Sequence, residues 1–420
     1  MRFTILMALL VIPASAAAQS GSEKPAAAVN NCIRCHSGMM KKYALPAQNY
    51  HDDIHSQAGV LCSDCHGGDP SNPRHHDRKD PKQNFRGKPA PQDIPGLCSH
   101  CHGNPVYMRG KNPSLPVDQL EKYRTSRHGE LLLGQGDPKP AQCVSCHGVH
   151  NIRQAGDPAS KVYATNLPGT CAACHADEKY MAGYGIPTNQ MALYQTSVHG
   201  QALLGRDDTG APACNDCHGN HGAYPPETSN VAQVCGLCHA RNFALYQASF
   251  HAPIFDSAGE SGCATCHGSH GIQHPTEEML GEGERSACGK CHQMSADDKG
   301  FALGLEMKGV LDSLSGRMDS VAARVQKAHE HGMEVSELQL SLRDVRQSLI
   351  ESRTSIHSFD PDQVRKTAAP GMLLAAQVDS LAGQTLYEHG KRRWWLGGMT
   401  LVLLTVIAGV VMLLKQIERK

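Results

Sequence analysis

The sequence predicts a mostly α and coil chain in three parts: a domain of short helices and loops, a C-terminal helical hairpin and stalk, and one transmembrane helix. Three observations predict it. Only 40% of the 420 residues are hydrophobic and 5% aromatic, against 41 Gly and 24 Pro, which is thin material for a side-chain core. Beyond residue 300, apolar residues recur every three or four positions, the period of a helix face. Residues 396–414 then run without a charge, long enough to cross a bilayer. The formal net charge is zero, with 40 Lys+Arg against 40 Asp+Glu, so overall electrostatics offer no attraction for a nucleic-acid backbone.

Residues 1–18 carry Arg2, an apolar stretch from Phe3 to Pro13, and Ala16 and Ala18 at the minus-three and minus-one positions of a cut. This is the pattern of a cleavable signal peptide, and its apolar stretch is short for an uncleaved anchor.

The short-helix domain, residues 19–300, contains all 18 cysteines, and each belongs to a Cys-x-x-Cys-His unit. The nine units are Cys32, Cys35 and His36; Cys62, Cys65 and His66; Cys98, Cys101 and His102; Cys143, Cys146 and His147; Cys171, Cys174 and His175; Cys214, Cys217 and His218; Cys235, Cys238 and His239; Cys263, Cys266 and His267; Cys288, Cys291 and His292. This is the attachment motif of c-type haem: two thiols three positions apart form the thioethers, and the adjacent His reaches the iron as proximal ligand. Structural zinc held by four thiolates needs two such pairs per ion, and nine is odd. A disulfide framework gives no reason for a His after every second Cys. The expected cofactors are therefore nine covalently bound haem c groups, whose macrocycles fill the interior that side chains do not, making a haem-packed multihaem domain.

Eight motifs fall into four two-haem repeats, at 55–102, 128–175, 199–239 and 251–292, with the motif at 32–36 standing outside them. Each repeat reads His, Cys-x-x-Cys-His-Gly, His, Cys-x-x-Cys-His. Local wording recurs as well, Tyr-Arg-Thr-Ser-Arg-His-Gly at 123–129 against Tyr-Gln-Thr-Ser-Val-His-Gly at 194–200. Intervening stretches such as Gly67-Gly68-Asp69-Pro70 are turn chemistry.

Function turns on the second axial ligand. The repeat supplies eight distal candidates: His55, His128, His199 and His251 ahead of the four repeats, and His75 or His76, His150, His221 and His270 between their motifs. His150 follows the proximal His147 by three residues, too short a segment to pass round the porphyrin, so it should cap a neighbouring haem; His221 and His270 repeat that spacing. For the remaining haem, His51, His100, His357, Met39 and Met40 are open, with His51 preferred. Iron capped by His on both faces suits electron transfer, whereas an open face suits catalysis.

The hairpin and stalk occupy 301–393. Leu311, Leu314, Met318, Val321, Val325 and Ala328 define one amphipathic helix, and Leu338, Leu342, Val345, Leu349, Ser352 and Ile356 a second. Gly332 fits the end of the first, and Ser336 with Gln339 reads as a capping box for the second. Asp360 and Pro361 should start a third, bent at Pro370. The span is expected at 394–414, with Trp394 and Trp395 at the interface and 415–420 as a cytoplasmic tail.

Residues 32–292 resemble the multihaem c-type cytochromes of anaerobic and metal-respiring bacteria, among them membrane-anchored members. The tail, with Gly332-Met333-Glu334-Val335 and Ser355-Ile356-His357-Ser358-Phe359, is similar to the helical end of cytochrome c nitrite reductases and hydroxylamine oxidoreductases. The first resemblance implies an electron relay anchored in the cytoplasmic membrane with its haems in the periplasm. Its partners would be a quinol-oxidising membrane complex and other redox proteins, periplasmic or in the outer membrane. The second implies His357 as a distal ligand. An open haem face would carry the alternative activity, a multihaem reductase or oxidoreductase of a small nitrogen or sulfur compound such as nitrite, hydroxylamine or sulfite. Those nitrite reductases commonly attach the catalytic haem through Cys-x-x-Cys-Lys, and all nine motifs here end in His.

Overall fold

The structure is a computed structural model that describes residues 31–72, 84–227, 230–295 and 297–419. The described residues contain helices and loops and no strand. They form two compact units, one through residue 162 and one from residue 163.

The attachment motifs themselves make the short helices. The first motif of each repeat is a five-residue helix, Cys62–His66, Cys143–His147, Cys214–His218 or Cys263–His267. Each stops at a glycine in the left-handed region, with φ of 70° at Gly67, 82° at Gly148, 81° at Gly219 and 76° at Gly268. Only glycine adopts that turn freely. It sends the chain away from the helix directly after the His. In two repeats the second motif ends a longer helix, Ile94–His102 and Leu167–His175. Both start with a buried proline, Pro95 and Pro168, whose fixed φ suits a first helical turn.

Within the second unit, the helices Lys299–Glu330, Ser336–Ser355 and Pro361–Glu418 pack as a three-helix bundle. Leu311, Leu314, Val345, Leu349, Val364, Ala368 and Ala375 make one layer of its core, and Val321, Val325, Ala328, Leu338, Val378 and Ala382 the next. These include most apolar positions expected from the helical period. Small residues on the third helix allow close approach: a Cβ on Gly371 would lie 2.6 Å from Cβ of Ser348. The haem region joins the bundle through Leu280, which enters the first layer, and through Glu277, which accepts a hydrogen bond of 2.8 Å from Nε of Arg353.

The helix ends depart from expectation in one place. Gly332 turns the chain with φ 72° after the first bundle helix, and the Asp360 carboxylate caps the third by accepting from the Asp362 N–H. The capping box of Ser336 with Gln339 does not form. Val335 occupies the cap position, and the Glu334 carboxylate accepts from the Ser336 N–H at 2.9 Å. A longer side chain one residue earlier thus satisfies the orphan donor.

The third helix runs unbroken through Pro370 to Glu418. Stalk and apolar segment are therefore one helix. Its apolar stretch is unburied and forms a single candidate membrane span.

Candidate haem ligation sites

Six motif histidines each face a second imidazole from elsewhere in the same unit. Ring centres lie 5.9 Å apart for His55 and His102, 5.9 Å for His66 and His150, and 6.2 Å for His199 and His239. They lie 5.9 Å apart for His218 and His270, 6.2 Å for His251 and His292, and 6.1 Å for His267 and His357. An imidazole–metal bond is about 2.0 Å and a ring nitrogen sits about 1.1 Å from its ring centre, so two rings on opposite sides of one metal have centres about 6.2 Å apart. The six distances fit that value, and the residues fit axial ligation of haem iron. The chain supplies an internal contrast: His331 and His389, which follow no motif, stack directly at 4.5 Å and 6°.

The pairs obey a register. A His ahead of a repeat faces the second motif of that repeat, as His55, His199 and His251 do. A His between motifs faces the first motif of the preceding repeat, as His150 and His270 do. The first motif of the last repeat has no following repeat, and His357 from the end of the second bundle helix stands against it. Each of these short segments brings its His against the motif His of another repeat. His150 does so with φ 61°, a left-handed conformation that His tolerates better than most residues.

Hydrogen bonds on the other ring nitrogen orient several of these rings and that of the motif His36. Nδ1–H donates to a carbonyl in His36 (Tyr43, 3.1 Å), His66 (Gly87, 2.8 Å) and His357 (Thr354, 3.0 Å). It donates to a carboxylate in His55 (Asp53, 3.0 Å) and His292 (Asp298, 3.0 Å). Each bond fixes the tautomer that leaves Nε2 free to ligate. Burial, reinforced by the facing imidazole, pushes the pKa of His150, His199, His251 and His270 down; burial likewise lowers His267 and His357. That keeps the rings neutral, as a metal ligand must be.

The thiols of successive motifs also meet. Cys98 is hydrogen-bonded to Cys143, Cys171 to Cys214, and Cys235 to Cys263, so the second motif of one repeat abuts the first motif of the next. Within repeats, Cys65 lies near Cys101, Cys217 near Cys235 and Cys266 near Cys288, and Cys32 lies near Cys62. Attachment points thus neighbour one another in sequence order along each unit.

Motif spacing, opposed imidazoles and serial attachment points describe one kind of protein. Residues 54–176 match the cytochrome c3 family. The cytochrome c3-type domain is a multihaem domain, it binds haem c covalently, and the chain that carries it is an electron-transfer haem protein. No curated protein and no solved structure gives a significant match to the chain.

Other expected ligands sit differently. His357, left open for the haem at Cys32, stands against His267 instead. His51 is exposed and, among the described residues, faces no imidazole. His75 and His76 lie outside the described residues. His128 and His221 hold the same register positions as the paired distal histidines.

Sequence reasoning passed over one set of residues. Five positions ahead of each leading His stands a tyrosine: Tyr50, Tyr123, Tyr194 and Tyr246. In three repeats its hydroxyl donates to the carbonyl two residues before the first motif Cys, at Val60 (2.5 Å), Ala141 (2.8 Å) and Pro212 (2.8 Å). The tyrosine ties the helix that presents the distal His to the start of the attachment helix. Burial raises the Tyr194 phenol to about 12, so it stays a donor. The signal was present in the repeated wording at 123–129 and 194–200.

Proposed function

We propose that this chain is a membrane-anchored nonahaem c-type cytochrome that relays electrons in the periplasm. It would pass them between a quinol-linked membrane respiratory complex and periplasmic or outer-membrane acceptors. The observation that carries the reading is the set of opposed imidazoles, 5.9–6.2 Å apart, in six independent places. Haem supplies reversible one-electron chemistry when bound. The protein's part is to hold both axial positions with His, to keep substrate and water off the iron, and to bring attachment points into series. The apolar stretch that ends the chain supports anchoring by one C-terminal helix, with residues 415–420 in the cytoplasm and residues 1–18 removed on export. By the repeat register, His75 or His76 rather than His51 would cap the haem at Cys32.

Electron paramagnetic resonance of the oxidised protein and carbon monoxide addition to the reduced protein test this reading. Nine low-spin haems and no carbon monoxide shift are expected. One high-spin, carbon monoxide-binding haem per chain would replace the relay by a reductase of a small nitrogen or sulfur oxyanion.

A further inference from the structure

The residue two positions ahead of the leading His is Asp53 in the first repeat and Ser126, Ser197 and Ser249 in the other three. All four are buried. The serines do local work: Ser126 and Ser197 accept from the N–H of Gly129 and Gly200, and all three donate to the carbonyl of the preceding tyrosine. Asp53 does something more. Its Oδ1 accepts from the His55 backbone N–H at 2.8 Å and from His55 Nδ1 at 3.0 Å, and its Oδ2 accepts from the Ile152 N–H at 2.9 Å. The neighbouring cation, Arg153, pairs with Asp52 and Asp157. A buried carboxylate therefore puts its charge on the distal imidazole of one haem. In the fourth repeat the equivalent nitrogen, Nδ1 of His251, is buried with no hydrogen-bond partner.

We propose that Asp53 is a positioning residue that makes His55 a stronger donor than His199 or His251 and lowers the potential of the haem at Cys98. The carboxylate polarises the Nδ1–H bond, and its charge favours Fe(III) over Fe(II) at low dielectric. The electron reducing this iron comes from the neighbouring haems of the relay, and the proton stays between His55 and Asp53 throughout. The haem at Cys98 is then harder to reduce than it would be without that carboxylate, which biases where electrons rest between transfers. The inference rests on the bis-His reading above.

The test uses the full-length, haem-loaded protein in detergent, titrated potentiometrically, with Asp53→Asn and Ser197→Asp. Second-sphere partners of metal-bound His are worth tenfold or more, and tenfold in a one-electron couple is about 59 mV. Asp53→Asn should move a single one-electron component up by about that amount. Ser197→Asp, which plants a carboxylate beside His199, should move a different component down. Both should keep their full haem content and low-spin spectra. If Asp53→Asn fails to assemble, Ser197→Asp decides alone. Titrations unchanged in the variants that assemble overturn the proposal and leave the relay standing. A high-spin haem in the unaltered protein would instead overturn the relay, before any substitution is made.

Discussion

Replacing His357 with Ala tests how the bundle and the haem region depend on each other. The ring centres of His357 and His267 are 6.1 Å apart, which puts a shared iron about 3 Å from each. Alanine ends at Cβ and cannot span that gap, so one axial position of the haem at Cys263 opens. Thr354 O, which holds Nδ1 of His357 at 3.0 Å, is a carbonyl with no other ring to present. The expected change is in one of the nine proposed haems. Carbon monoxide binding should rise from none to one per chain, and about one-ninth of the oxidised haem should become high-spin. His357→Met is the companion variant: a thioether restores six-coordination and raises the potential of that haem, leaving the spectrum low-spin. Pyridine haemochrome analysis of each variant fixes the haem count. His357→Ala with full haem content, no high-spin signal and no carbon monoxide binding would refute the assignment and the distance argument behind it.

Removing the phenol in Tyr194→Phe deletes the hydrogen bond to Pro212 O. It should cost about 1 kcal/mol in thermal or denaturant unfolding while haem content and spin state hold. Leu314→Ala empties a fully buried site in the bundle core and should cost about 3 kcal/mol, read by loss of helical signal in urea. The stacked pair near the membrane end makes a pH prediction. Desolvation, the facing His331 and the cations Arg393 and Arg392 push the His389 pKa down. Whatever stability the stack adds is present above the unfolded His value of about 6.5 and is lost as pH falls through the lowered folded value. Histidine NMR should show His389 titrating below about 6.5; a midpoint at or above that value would contradict it. Deleting residues 394–420 should release a soluble protein with unchanged haem stoichiometry, measured after membrane fractionation.

Much of the bundle was legible. Leu311, Leu314, Val321, Val325, Val345 and Leu349 are core residues, as their three-and-four spacing demands, because a helix face is a local property of the chain. Helix ends were less legible. Glu334 took the role expected of Ser336 because several side chains within a residue or two can satisfy the same orphan donor. At the ligation sites, the spacing of His150 to His147 implied that His150 serves a neighbour but left the neighbour unnamed.

What the sequence alone determined is whatever chemistry is written within a few residues. Two thiols and a His within five positions specify a covalent attachment, and a glycine after the His specifies the turn that follows. The tertiary structure decided which imidazole stands opposite which. His66 and His150, and His267 and His357, are separated by stretches of chain that no local rule spans, and they meet because the chain packs back on itself within each unit. The same is true of Asp53, which in sequence is one acidic residue among 40. Folding buries it against Nδ1 of His55 and the Ile152 N–H, and only there does its charge acquire a function. Axial ligation is a condition on distances between distant parts of the chain, so packing had to decide it.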